Sequence, residues 1–189
     1  MRNLLLFLSL TFVSQTLFAQ EKPLILITYY SQSGNTQQLA EAIAEGAQSV
    51  VGVEVKLLPM DQVQKDDLLE ASAIVLGSPV YNANIAPPVQ EFINFWPFEG
   101  RPLRDKIGAV FSTGGGISIG EELVMLNLMH SMLIHGMIVV GGDAVESAFG
   151  ASAITGEGPF DSKLGMDQIF LEKGKDLGKR VAETVLRFH

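Results

Sequence analysis

The sequence predicts a three-layer, doubly wound α/β sandwich around a five-stranded parallel sheet in the order 2-1-3-4-5. Three observations carry this. Short runs of Val, Ile and Leu without polar alternation recur along the chain, as strands covered on both faces require. Stretches with helical apolar spacing separate them, so strand and helix alternate as in sheets built from parallel crossover units. Loops rich in Ser, Thr, Gly and Asn follow several of the runs, and in such a sheet the ligand-bearing loops leave the carboxyl ends of the strands.

In chain order, residues 1–19 read as a secretory signal peptide. Arg2 supplies the positive start, Leu4 to Val13 the apolar stretch, and Ala19 the small residue before Gln20-Glu21-Lys22-Pro23. The alternative, a membrane anchor, is disfavoured because Ser9, Thr11, Ser14, Gln15 and Thr16 interrupt a segment already short of the roughly 20 residues a span needs. Residues 20–189 form the folded domain. Its strands are Leu24 to Thr28, Val53 to Leu58, Ala73 to Leu76, Ile107 to Phe111 and Met137 to Val140. Leu39, Ile43 and Ala47 share one helical face with Ala40 and Ala44, and Pro87-Pro88 opens a helix in which Val89, Phe92 and Ile93 point inward. Glu121 to His135 is a helix apolar nearly all round, which suggests that both faces are buried in an oligomer. Met166 to Leu186 closes the chain, with Ile169, Phe170, Leu177, Val181 and Val185 inward.

Composition narrows the functions available. The 189 residues are 47% hydrophobic and 18% charged, which suits one globular domain. A net charge of −8 with no basic run argues against nucleic acid, whose phosphates call for clustered Lys and Arg. The mature chain contains no membrane-spanning segment. The absence of cysteine excludes disulfides and lipid attachment at the cleavage site, and suits an oxidising compartment. Export to the periplasm is therefore expected, or a cytoplasmic location if residues 1–19 are not a signal.

Three loops are expected to border one crevice: Ser31 to Thr36, Ser78 to Pro88 and Ser112 to Gly120. In the first, Ser31, Ser33 and Thr36 bring hydroxyls, Gly34 permits a tight backbone, and the free amides of the following helix favour an anion. The stretch suits a phosphate monoester and lacks the Gly-Lys-Ser/Thr of a nucleoside-triphosphate loop. The alternative is a plain Ser/Thr helix cap.

These residues resemble a family. Tyr30-Ser31 followed by Gly34-Asn35-Thr36 resembles the FMN phosphate loop of flavodoxins. Gly77-Ser78-Pro79-Val80-Tyr81 with Asn84 is similar to the second flavin loop of the flavodoxin-like NAD(P)H:quinone oxidoreductases of the Trp-repressor-binding-protein group. Phe111-Ser112-Thr113-Gly114-Gly115-Gly116 is similar to their third loop, and His135-Gly136-Met137 to the His-Gly-Met before their last strand. The resemblance implies a flavodoxin-like fold that binds FMN, with NAD(P)H as co-substrate, a quinone or similar small acceptor, and a homodimer or homotetramer. It implies that Ser31, Gln32, Ser33, Gly34, Asn35 and Thr36 hold the phosphate. Pro79, Val80, Tyr81 and Asn84 would lie along the isoalloxazine, and Ser112, Thr113, Gly114, Gly115, Gly116 and Ile117 would reach its pyrimidine edge. His135 would lie near the ring as the catalytic residue, and Trp96 would border the pocket that nicotinamide and quinone share. The chain departs from the family at Asn82-Ala83, where an aromatic-Gly pair is usual, at Ser33, and in a shortened third loop.

The residues themselves bear on how a flavin would be used. The second and third loops contain no Asp or Glu. Carboxylates crowded around a dry ring penalise its reduced, negatively charged form, and their absence here points to two-electron hydride chemistry. The rival is a non-catalytic electron-transfer or flavin-carrier protein of the cell envelope. His135 also fits a hydrogen-bonded core histidine, and Trp96 and Tyr81 fit packing aromatics. Met125, Met129 and Met132 share a helical face beside His130, a pattern that fits core filling far better than a thioether metal site. Gly141 to Gly165 is long for a connection, and Phe149 and Phe160 within it are candidates for covering the pocket.

Overall fold

The computed structural model describes residues 21–161 and 165–188; the proposed signal, residues 1–19, lies outside them. The elements run β1 (Leu24–Tyr29), α1 (Asn35–Gln48), β2 (Glu54–Pro59), a 3-10 turn (Met60–Gln62), α2 (Lys65–Glu70), β3 (Ala73–Tyr81), β4 (Asn84–Ile85) and α3 (Pro87–Phe95). They continue with β5 (Ile107–Gly114), α4 (Glu121–Ile134), β6 (Ile138–Val139), a 3-10 turn (Val145–Ser147), β7 (Ala151–Ile154), β8 (Gly156–Glu157), β9 (Phe160–Asp161) and α5 (Gln168–Phe188).

The main sheet runs β2-β1-β3-β5-β6 with every neighbour parallel. The fifth strand is split. β6 pairs with the start of β5 through Ile107↔Ile138, the chain leaves the sheet over residues 140–150, and β7 resumes the pairing at Phe111↔Ala151. The expected single strand, Met137 to Val140, is thus only its first half. Gly141 to Gly165 is likewise not an unstructured connection, since it contains β7 and the β8–β9 hairpin.

Two apolar layers hold the sandwich. On one face Leu39, Ile43 and Ala47 of α1 and Phe170, Leu177, Val181 and Val185 of α5 cover Ile25, Ile27, Val75 and Phe111. α1 and α5 approach so closely that a Cβ on Gly178 would collide with the Ile43 carbonyl and one on Gly46 with the Lys175 carbonyl, the contact that small residues permit between helices. On the other face Val89, Phe92 and Ile93 of α3 and Val124, Leu128 and Met132 of α4 cover Leu26, Ile74, Leu76 and Val110. Met125 and Met132 are core residues here and His130 is exposed. Leu123, Leu133 and Ile134 of α4 face outward and are about half exposed. Among the described residues no helix is long and apolar enough to cross a membrane.

β3 and β5 run further than expected. Their pairing continues through Ser78↔Ser112 and Pro79↔Thr113, so the second and third loops begin as strand and carry their side chains beyond the sheet's carboxyl edge. The second loop is a hairpin, Val80↔Ile85 and Tyr81↔Asn84, closed by Asn82 at φ 50° and Ala83 at φ 59°. Two left-handed residues in succession give the turn whose twist matches the flanking strands.

Candidate functional site

The first loop leaves β1, a core strand between β2 and β3, and enters α1 through Gly34 at φ +88°. No heavy atom lies within 4 Å of where a Gly34 Cβ would stand, so the glycine serves backbone shape and leaves open space above it. Its amide donates to Ser31 Oγ (3.1 Å), which folds the loop on itself. The helix start carries no side-chain cap. Ser33 and Thr36 therefore do not act as the helix cap that was the alternative, and the amides of the first turn keep their capacity for an anion.

The three loops meet. Thr36 Oγ1 and Thr113 Oγ1 are 2.8 Å apart and buried, joining the first loop to the third. Tyr81 donates its hydroxyl to Gln32 Oε1 (2.7 Å), joining the second to the first, and its ring meets Tyr30 edge-on at 6.3 Å. Burial, together with Tyr30, raises the Tyr81 phenol above its ordinary pKa, so it remains a donor at neutral pH. A Cβ at Gly120 would stand 2.9 Å from Ala83 Cα, which sets the second-loop turn against the start of α4. Ser78 braces the second loop from within, because its Oγ accepts the Ala86 amide (3.0 Å) and donates to the Pro79 carbonyl (2.8 Å).

Pro79, Val80 and Tyr81 are half-buried, Asn84 and Gly115 are exposed, and Ile117 is 50% exposed. Asn84 Nδ2 donates to the Asn82 carbonyl (3.0 Å). Ser112 Oγ is buried without a hydrogen-bond partner among the described residues, and nothing lies within 4 Å of a Cβ built on Gly115. The uncapped helix start and the open space over Gly34 and Gly115 fit a phosphorylated planar ligand such as FMN. The first loop would hold the phosphate and the second and third would hold the ring.

Two carboxylates belong to this neighbourhood although neither lies in the loops read from the sequence. Glu157 Oε2 accepts the Ile117 amide (2.7 Å), and the β8–β9 hairpin that carries it is pinned by Thr155, whose amide (2.8 Å) and hydroxyl (3.1 Å) both donate to the Gly114 carbonyl. Glu121, 8% exposed, accepts the Gly120 amide on Oε2 (3.2 Å), while its Oε1 is buried beside Gly114 with no hydrogen-bond partner among the described residues. Carboxylates therefore border the third loop although the second and third loops contain none of their own.

His135 and Trp96 are not brought to the crevice within one chain. α4 begins at the third loop and its 14 residues carry the chain about 21 Å to the opposite end of the sheet, where His135 follows it. α3 likewise begins after the second loop and ends at Trp96. There the His135 ring packs against Trp96 (5.4 Å) and Phe98 (5.1 Å) and is 5% exposed. Burial, with Arg101 adding to it, lowers the His135 pKa against a bond to the Pro97 backbone that raises it. Of the two aromatics expected to cover the pocket, Phe160 packs on Phe170 of α5 (5.0 Å), and Phe149 is 46% exposed on the excursion between β6 and β7.

Residues 22–151 match the protein family described as NADPH-dependent FMN reductase. The chain is 32% identical over 165 residues to an NAD(P)H dehydrogenase (quinone) of Geotalea daltonii, covering 72% of this chain and 80% of that one. It is 29% identical over 174 residues to a flavodoxin of Aquifex aeolicus, covering 87% and 88%. Among solved structures it resembles a WrbA-like flavodoxin of Agrobacterium tumefaciens with a TM-score of 0.72 at 22% identity, over 88% of this chain and 99% of that one. The sheet order and the helices on both faces are those of the flavodoxin-like fold.

Proposed function

Because the chain belongs to the NADPH-dependent FMN reductase family, we propose that it is an FMN-dependent oxidoreductase that takes hydride from NAD(P)H and reduces a quinone or similar acceptor by two electrons. The observation that supports this most is the first loop: a left-handed Gly34, no side-chain cap on α1, and a buried Thr36–Thr113 bond that ties the anion cradle to the third loop. FMN, when bound, accepts and passes on the hydride. The chain's residues hold the phosphate on amides and hydroxyls, fix the three loops relative to one another, and offer backbone groups of the glycine run to the ring.

Steady-state oxidation of NADH and NADPH with benzoquinone by the FMN-loaded chain tests the proposal. Turnover with either nucleotide is expected, and no turnover with both removes the enzyme assignment. A second function, a non-catalytic electron carrier, is favoured by one observation: Glu157 and Glu121 beside the third loop, where like charge disfavours a reduced, anionic ring. FMN binding without nucleotide-dependent turnover supports that outcome. The exposed Leu123, Leu133 and Ile134 of α4 support assembly into a homo-oligomer, which light scattering tests. Export with loss of residues 1–19 is part of the same proposal, and the amino-terminal sequence of the protein recovered from cells tests it.

A further inference from the structure

We propose that a cleft beside the first loop, separate from the flavin crevice, binds a planar aromatic cation of the arylamidine or arylamine class. The cleft measures about 720 Å³ and lies across the carboxyl ends of β1 and β2, between the first loop and α3. Much of its lining is apolar: Met60, Val63 and Phe92 are buried and Pro59 is half-buried. Tyr30 and Phe95 add two aromatic rings that remain partly open to solvent. Tyr30 also meets Tyr81 of the second loop edge-on at 6.3 Å, so one ring borders both the cleft and the flavin crevice.

The charged groups of the lining favour a positive ligand. Asp61 and Glu91 are exposed carboxylates within it, and no Lys, Arg or His belongs to it. No ion pair or side-chain hydrogen bond among the described residues engages either carboxylate. Their field reaches the cleft: burial raises the pKa of the Tyr29 phenol in its lining, and the charges of Glu41 and Asp61 add to the rise. Lys65, outside the lining, holds its ammonium 5.3 Å from the centre of the Phe95 ring. That ring therefore already meets one cation, and two carboxylates against one ammonium leave the cleft and its border negative. A ligand ring that packs on Tyr30, Phe92 or Phe95 fills the apolar part, while a cationic group at its edge meets the carboxylates. An anion of the same shape is repelled, and a neutral molecule gains only the apolar contact.

Naphthamidine, naphthamide and naphthoate have nearly one shape and carry positive, zero and negative charge. Each is titrated into the isotope-labelled chain, FMN-loaded and flavin-free in parallel, and the backbone amide shifts are followed by NMR. The amidine is expected to bind with a dissociation constant of about 1 mM or below, about fivefold more tightly than the amide, and the naphthoate is expected not to bind. The shifts are expected at Tyr30, residues 60–63 and residues 91–95. In the double variant Asp61→Asn, Glu91→Gln, the advantage of the amidine over the amide is expected to fall below about twofold, with binding of the amide unchanged. Glu183→Gln, on the exposed end of α5, is expected to keep the full advantage. Equal affinity for amidine and amide, preference for the naphthoate, shifts away from the cleft, or a preference that survives in the double variant overturns the proposal. Binding of the amidine only when FMN is absent would place the cation in the flavin crevice and overturns it as well. A chain that fails to bind FMN refutes the flavin assignment alone, because the flavin-free titration still reads the cleft.

Discussion

Replacing Thr36 by Val tests whether the first and third loops are joined as the structure has them. Thr36 and Thr113 are 2% and 4% exposed, and their hydroxyls are each other's partners at 2.8 Å. Valine keeps the branched shape and deletes one oxygen. A buried hydroxyl left without a partner costs about 1–3 kcal/mol, against a net contribution near 1 kcal/mol for the bond itself. Thr36→Val and Thr113→Val are therefore each expected to destabilise the flavin-free chain by about 2 kcal/mol, or about 4–8 °C in Tm for a domain of this size. The double variant loses both polar groups at once and leaves nothing unpaired. It is expected to cost less than the two single changes added together, with a coupling energy of about 1–2 kcal/mol. Urea unfolding with an unchanged slope in all four proteins is the assay. Additive losses would refute the reasoning, because they would mean that the two hydroxyls find other partners.

Two further predictions follow from packing and from charge. Gly178→Ala places a methyl group against the Ile43 carbonyl at the α1–α5 contact and is expected to cost about 1–3 kcal/mol by overpacking, measured as a lowered urea midpoint; an unchanged midpoint would contradict the close approach. For His135, burial holds the folded-state pKa below the ordinary 6.5, so the folded chain binds the proton less readily than the unfolded chain. Its contribution to stability is complete above pH 6.5 and declines as pH falls towards the folded-state value. His135→Gln is expected to flatten that decline in unfolding free energy, and superimposable pH profiles would refute it.

Much of this architecture is legible in the residues. β1, expected at Leu24 to Thr28, is observed at Leu24–Tyr29; its continuous apolar run is what a strand buried on both faces requires, and that makes it readable. The split of the fifth strand is not legible: Ala151–Ile154 has a weak strand composition and becomes a strand by pairing with Phe111–Gly114. α2 escapes notice because it is six residues long and polar, its signature being the capping box between Gln64 and Asp67. The second-loop hairpin is obscured by Ala83, since alanine seldom takes a positive φ. In the site, the shape of the first loop follows from its own residues, whereas Glu157 reaches Ile117 across 40 positions and no local pattern announces it. The separation of His135 and Trp96 from the loops was available in principle, because a helix that begins at the carboxyl end of a parallel sheet must finish at the other end.

The central claim, that amides and hydroxyls of Ser31 to Thr36 hold the phosphate of FMN, is tested most directly by titrating the flavin-free chain with FMN and with riboflavin, which lacks only the phosphate. FMN fluorescence is expected to be quenched at a one-to-one ratio with a dissociation constant in the micromolar range or below, and riboflavin to bind about a hundredfold more weakly, the worth of one or two charge-assisted bonds. Equal affinity for the two flavins, or no quenching by FMN, would contradict the claim.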